Sequence, residues 1–297
     1  MRARVASRAA ARESRGVPAA PLSERARARA RAPVFDSSGP EDDPDHASQQ
    51  TVWDAVGAQL LDAAWEGFNV SLFAYGQTGS GKSHSMVGFG GGDEAGVVPR
   101  VGAEVFARVG RDLAPSGGGD GASGSAPTFA IEVSMMEIYN EKIRDLLVPP
   151  PATVADAQAA PPLRVRDAPT TGAYVDGLSA VPVASADALA RLLALGTRHR
   201  TVAATRMNET SSRAHTVITL TVAQARVLRA GSTVTEARRS ARVNLVDLAG
   251  SERVTKTGAA GDRLKESGHI NQSLTVRDDG GGRRARFFAS SSAGRIL

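Results

Sequence analysis

An α/β fold, with a central sheet and helices on both of its faces, is what the sequence predicts. Three observations predict it: a helix-period apolar pattern at 51–66, a short apolar run at Val70–Tyr75 that ends in glycine, and further strand-like and helix-like runs in alternation after it. The 297 residues are 41% hydrophobic and 23% charged, enough for a sizeable core, which excludes a wholly disordered chain. Cysteine is absent, which removes disulfides, thiolate zinc sites and cysteine nucleophiles and fits an intracellular protein. No apolar run approaches the roughly 18 residues that a membrane span needs.

In chain order, Val52, Val56, Leu60, Ala63 and Ala64 recur at three- and four-residue steps, so 51–66 reads as an amphipathic helix stopped by Gly67. Val70, Leu72, Phe73 and Tyr75 form a buried strand that feeds a glycine-rich turn. Residues 128–138 alternate as a strand. Ser185 to Leu195 is a helix, with Ser185 as N-cap and Gly196 just past its end. Thr216–Val222 and Arg242–Asp247 are two more strands. The Gly/Ser-rich stretch 114–127 and the Pro-rich stretch 149–162 read as surface insertions.

The net charge of +5 suggests a nucleic-acid partner until it is located along the chain. Residues 1–32 hold nine Arg against Glu13 and Glu24, and residues 276–297 hold five Arg against Asp278 and Asp279, so the body between them is mildly acidic. A duplex-binding surface would gather its cations on one folded face, so nucleic acid is not expected as a partner. The first segment is almost only Arg, Ala, Ser and Pro and reads as a disordered extension. It has the composition of a transit peptide, but Glu13 and the repeated Arg-Ala dipeptides argue against that reading.

Residues 76–83, G-Q-T-G-S-G-K-S, fit the phosphate-loop pattern G-x-x-x-x-G-K-[ST], directly after the expected buried strand. The loop Gly76, Gln77, Thr78, Gly79, Ser80 and Gly81 would curl its backbone amides around phosphate oxygens. Lys82 would bring a full charge to the β- and γ-phosphates, and Ser83 a hydroxyl to Mg²⁺. V-N-L-V-D-L-A-G at 243–250 supplies the acidic element on a neighbouring strand: Asp247 can hold Mg²⁺ through water, and Gly250 lets an amide approach the γ-phosphate. N-E-T-S-S-R-A-H at 208–215 is a polar stretch just before a strand. There Ser211 and Ser212 could reach γ-phosphate and metal while Arg213 seeks a carboxylate.

Together these three segments resemble the phosphate loop, switch I and switch II of kinesin motor domains, in order and in spacing. The resemblance runs from about Pro40 to Thr275 and takes in E-I-Y-N-E-K-I-R-D-L-L and R-T-V-A-A-T-R-M-N-E-T-S-S-R-A-H; the P-E-D…A-S-Q-Q segment and the R-T-V-A-A-T lead-in look most like the class-three, cargo-transporting kinesins. It implies a kinesin-type fold, a mixed sheet with a mainly parallel core, and a microtubule-stimulated ATPase with ATP and Mg²⁺ at 76–83. Ser83, Ser212 and Asp247 (through water) would be the metal's partners, Gly250 the γ-phosphate sensor, and Arg213 with Glu252 the ion pair that closes the switches. Glu252 would relay the attacking water's proton. Lys256, Arg263 and Lys265 would face acidic tubulin, placing the protein in the cytoplasm on the cytoskeleton.

Several features depart from the family. Ala214 stands where the family usually has Ser, a lost hydroxyl expected to perturb switch I without abolishing binding. No V-R-V-R-P strand precedes Phe35, and the resemblance stops after Thr275. The sequence therefore divides into a basic extension at 1–33, a truncated motor domain at 34–275 and an unrelated or disordered tail at 276–297. Competing readings are another P-loop NTPase, which leaves N-E-T-S-S-R-A-H unexplained, and a nucleotide-regulated or inactive microtubule-binding fragment. Oligomeric state is left open.

Overall fold

The computed structural model describes residues 2–9, 35–36, 43, 46–114, 126–151, 153, 161–168, 172–206, 211–230 and 233–251. Strands β1 (Arg2–Ala9) and β2 (Phe35–Asp36) come first. A continuous helical stretch follows, made of α1 (Gln49–Val52), a π-helical turn (Trp53–Gly57) and α2 (Ala58–Trp65). Ser48 caps it by accepting from the Thr51 amide at 3.2 Å. Next are β3 (Val70–Tyr75), α3 (Lys82–Met86), α4 (Val97–Leu113), β4 (Thr128–Tyr139) and β5 (Lys142–Asp145). Then β6 (Arg164–Ala168) pairs with β7 (Gly172–Asp176) as a separate hairpin, followed by β8 (Val181–Pro182), α5 (Ala186–Arg206), β9 (His215–Ala230) and β10 (Thr233–Asp247).

The main sheet has the order β2-β1-β3-β10-β9-β4-β5, with β8 added on β4. It is mixed, as expected, but the expected mainly parallel core reduces to one parallel pair among the described strands, β3 with β10, running from Val70↔Val243 to Ala74↔Asp247. Every other pairing is antiparallel, because only two residues separate β9 from β10 in the chain and β4 packs on β9 in the reverse sense. Arg2–Ala9, expected inside a disordered extension, is instead strand β1. Its backbone pairs antiparallel with β3 from Arg4↔Tyr75 to Ala9↔Val70, which satisfies amides that would otherwise form a bare sheet edge.

The alternation of β3 sorts its side chains between two apolar layers. Val70 and Leu72 join Leu61, Val101, Val105, Val133, Leu189, Leu220, Val243 and Leu245 beneath the helices, while Phe73 points to the opposite face with Met136, Ile138, Val217, Val246 and Leu248. Among the described residues the helices lie on the first face only; the second is met by Val175 of β7 and by Leu178.

Three boundaries differ from expectation. The β9–β10 hairpin runs well past the two short strands foreseen; in the outer half of β10 the consecutive polar residues Arg238, Arg239 and Ser240 do not alternate with apolar ones and give no strand signal. Helix α5 begins on the expected cap, with the Ala188 amide donating to Ser185 Oγ at 3.1 Å, but continues to Arg206. Gly196 is therefore not a stop but a close-approach residue inside α5: a Cβ there would lie 2.4 Å from Met135 Sδ of β4.

Gly196→Val should thus destabilise the fold by roughly 1–3 kcal/mol through overpacking. By contrast Gly110→Ala, at a position on α4 with open space around it, should stabilise by up to about 1 kcal/mol. Urea unfolding of the two variants checks the opposite signs.

Candidate functional site

The loop between β3 and α3 takes its shape from its glycines. Gly79 and Gly81 have φ of +78° and +81°, where a side chain would be strained, and a Cβ on Gly76 would meet Ser80 Oγ at 2.5 Å. Gln77, Thr78 and Gly79 face solvent, while Gly76, Ser80, Gly81 and Lys82 are half-buried. Lys82 folds its ammonium over the loop, donating to the carbonyls of Gly76 (3.0 Å) and Gln77 (2.9 Å). The cradle and its cation are thereby preformed, and an incoming phosphate would exchange these carbonyls for a stronger, charge-assisted partner.

Parallel pairing of β3 and β10 brings Asp247 beside this loop. Ser83 Oγ donates to Asp247 Oδ2 at 2.5 Å, although 164 positions separate the two residues in sequence. Asp247 is only 8% exposed, and its Oδ1 has no hydrogen-bond partner. Burial pushes its carboxyl above the usual range, opposed by the Ser83 hydrogen bond and the charges of Arg200 and Lys82. A hydroxyl and a buried carboxylate with one oxygen unsatisfied form a hard-oxygen donor set that fits Mg²⁺, the rest of whose shell would come from phosphate and water. Among the described residues no group of three His, Asp or Glu could hold a metal unaided.

Four successive amides after Asp247 are each taken by a different part of the site. Leu248 donates to Ala74 O at the end of β3 (3.1 Å), and Ala249 to His215 Nδ1 at the start of β9 (3.0 Å). Gly250 donates to Ser212 O in the 3₁₀ turn Ser211–Arg213 (2.7 Å), and Ser251 to Gly76 O of the phosphate loop (3.1 Å). The three segments singled out in the sequence therefore meet through main-chain bonds. Ser212 and Arg213 are half-buried, and Ala214 is 6% exposed, so the position that departs from the family sits in an apolar setting. Glu252, Lys256, Arg263 and Lys265 lie outside the described residues.

The structure adds residues that carried no assigned role in the sequence. His215 is the one side chain in that series of acceptors. Its burial lowers the imidazole to about 4, so it stays neutral with Nδ1 able to accept. Glu137 of β4 is buried between Arg144 (3.0 Å) and Arg200 (3.4 Å), and Gln49 Nε2 donates to His84 O at 2.7 Å, tying α1 to α3. His215 and Arg200 both fall within stretches already singled out by resemblance, but only three-dimensional pairing reveals their partners.

Comparison with known proteins agrees with this arrangement. The kinesin motor domain family model matches residues 22–278. Kinesin-related protein 1 of Dictyostelium discoideum is 44% identical over 79% of this chain and 10% of its own length. The kinesin-like protein KIF13A of Mus musculus is 44% identical over 78% of this chain and 12% of its own, and unc-104 of Caenorhabditis elegans is 43% identical over 79% and 14%. Among solved structures, a KIF14 fragment with AMP-PNP in complex with a microtubule aligns with a TM-score of 0.64 and 41% identity, covering 80% of this chain and 60% of that one. A fast kinesin aligns with a TM-score of 0.62 and 34% identity, covering 76% and 57%. The chain thus spans about a tenth to a seventh of the curated relatives it matches.

Because the folded His215 binds protons less readily than an unfolded imidazole, stability is full above pH 6.5 and falls as pH drops toward 4. Between pH 7 and pH 5 this one group should remove about 2 kcal/mol. Denaturant unfolding at both values checks it: His215→Gln, which keeps an acceptor without the titration, should lose correspondingly less than the parent chain.

Proposed function

The chain belongs to the kinesin motor-domain family, and from that premise we propose that it binds ATP at residues 76–83, hydrolyses it and couples hydrolysis to movement along microtubules. The observation that carries the reading is the convergence of Lys82, Ser83, Asp247 and the Ser251 amide at the phosphate loop, with the neighbouring Gly250 amide tied to the Ser212 turn. A phosphate loop alone belongs to many nucleotide enzymes, but one bonded directly both to the segment after Asp247 and, through Gly250, to the Ser212 turn can pass the presence of a γ-phosphate to two neighbours at once.

In this reading the loop amides and Lys82 bind and orient the β- and γ-phosphates. Ser83, Ser212 and Asp247 hold Mg²⁺, Asp247 acting through water. When bound, the metal supplies positive charge that offsets charge developing on the phosphate oxygens. Gly250, with no side chain, gives its amide room to turn from Ser212 O toward the γ-phosphate. Glu252, two residues on, accepts the proton of the attacking water through a second water and pairs with Arg213 when the switches close. Lys256, Arg263 and Lys265 face the acidic tubulin surface, which places the protein on the microtubule cytoskeleton. The relatives solved on microtubules support this partner, and the class-three likeness of the sequence agrees with the unc-104 and KIF13A matches.

ATP turnover by the 297-residue chain, with and without polymerised tubulin, tests the proposal. Microtubule-stimulated turnover supports it; turnover indifferent to microtubules would point to another P-loop NTPase. Lys82→Ala should weaken ATP binding by roughly 10- to 100-fold, the worth of a charge-assisted contact. Unchanged affinity in a titration would remove this loop from the nucleotide site. Glu252→Ala should bind ATP but not turn it over, and normal turnover there would sink the water relay.

A further inference from the structure

We propose that His215 is a positioning residue for the hydrolysis step: its Nδ1 pins the Ala249 amide, and so keeps the Ser212 turn attached to the segment after β10 while Gly250 turns away to the γ-phosphate. This rests on the nucleotide reading above, in which the Gly250 amide leaves Ser212 O. Two amides in succession tie the two segments together. Ala249 donates to His215 Nδ1 at 3.0 Å and Gly250 to Ser212 O at 2.7 Å, so the bonds join residues 249–250 to residues 212–215. Of these two, only the Gly250 bond can open without leaving a buried donor unmet, because the γ-phosphate then accepts from that amide.

Both ends of the Ala249–His215 bond sit in fixed surroundings. His215, 2% exposed, is the first residue of β9 and pairs with Ile138 of β4, while Ala249 is 1% exposed. The preceding amide, Leu248, donates to Ala74 O where β3 ends, so Ala249 is held by its neighbour as well as by the ring. Burial keeps the imidazole neutral, which leaves Nδ1 a lone pair to accept with and puts the proton on Nε2. Breaking this bond would strand a buried N–H. Gly250 bonds instead to a carbonyl of the 3₁₀ turn Ser211–Arg213, in which Ser212 and Arg213 are only half-buried. Without the ring, the turn of Gly250 toward phosphate would remove both ties at once. With it, Ser212, three residues ahead of His215, stays beside the metal and the γ-phosphate when Gly250 leaves.

The experiment compares ATP turnover and ATP affinity of the whole chain with those of two variants. His215→Leu keeps apolar bulk and removes the acceptor; kcat should fall about tenfold or more, while ATP affinity in a titration stays within about twofold because the loop and Lys82 are untouched. His215→Asn sets a carboxamide oxygen where Nδ1 stood, both being bonded to Cγ, and should retain most of kcat. A packing role reverses that order, since Leu fills the buried space and Asn leaves part of it empty. Asn as impaired as Leu therefore overturns the proposal, and so excludes a role carried by Nε2, which neither variant keeps. The parent chain gives a second readout that needs no variant to fold. In ¹⁵N-labelled protein the scalar coupling across the Ala249 N–H···Nδ1 bond should persist with ADP and with a non-hydrolysable ATP analogue, and its loss with the analogue would overturn the proposal. A parent that binds neither nucleotide would overturn the nucleotide reading itself, whereas a parent that turns over ATP beside a fully active His215→Leu overturns this inference alone.

Discussion

The parallel pairing of β3 with β10 is the constraint on which the rest of the site depends. It sets Ala74 against Asp247, so the phosphate loop leaves one strand where the acidic segment leaves its neighbour. The ends of adjacent parallel strands are where α/β sheets bind ligands, because both chains must turn away there and expose amides and carbonyls. Slipping the register by one residue would turn Asp247 to the other face and move Leu245 and Val246 into the wrong apolar layers. The core therefore fixes the chemistry: Leu72, Val243 and Leu245, fully or nearly fully buried, hold the strands in the one register that lets Ser83 reach Asp247.

Around that pairing the site is built almost wholly from main-chain bonds. Three of the four acceptors taking the Leu248–Ser251 amides are carbonyls, and the fourth is the neutral His215 ring. Such a junction is insensitive to most substitutions yet responsive to geometry, because moving Gly250 by a fraction of a hydrogen-bond length disturbs the Ser212 turn and the phosphate loop together. That is the behaviour expected of segments that report whether a phosphate is present.

What was legible in the sequence was local. The strand Val70–Tyr75 matches residue for residue, since a compact apolar run closed by glycine has few alternatives, and the phosphate loop was recognisable because glycine, lysine and serine at fixed spacing serve one geometry. Joint agreement of three motifs then named the family. Less legible was whatever depends on distant partners. The outer half of the β9–β10 hairpin, exposed along Thr235–Ser240, has no buried face to impress an alternation on it. Gly196 carries the usual mark of a helix end, and only the proximity of Met135 explains it inside α5. Strand β1 is nearly all Arg, Ala and Ser, so its sequence holds no sign of the β3 edge it covers. Glu137 and Arg200 are brought together by the packing of α5 on β4, to which no residue spacing points.

Hydrogen exchange over 243–251, read by mass spectrometry with and without Mg²⁺ and ADP, tests the central claim that nucleotide is sensed where β10 leaves the sheet. The account predicts slow exchange at Val243–Asp247 in both states and a change confined to Leu248–Ser251 and the 76–83 loop when nucleotide and metal are present. Nucleotide binding that leaves the Leu248–Ser251 amides unchanged would contradict it.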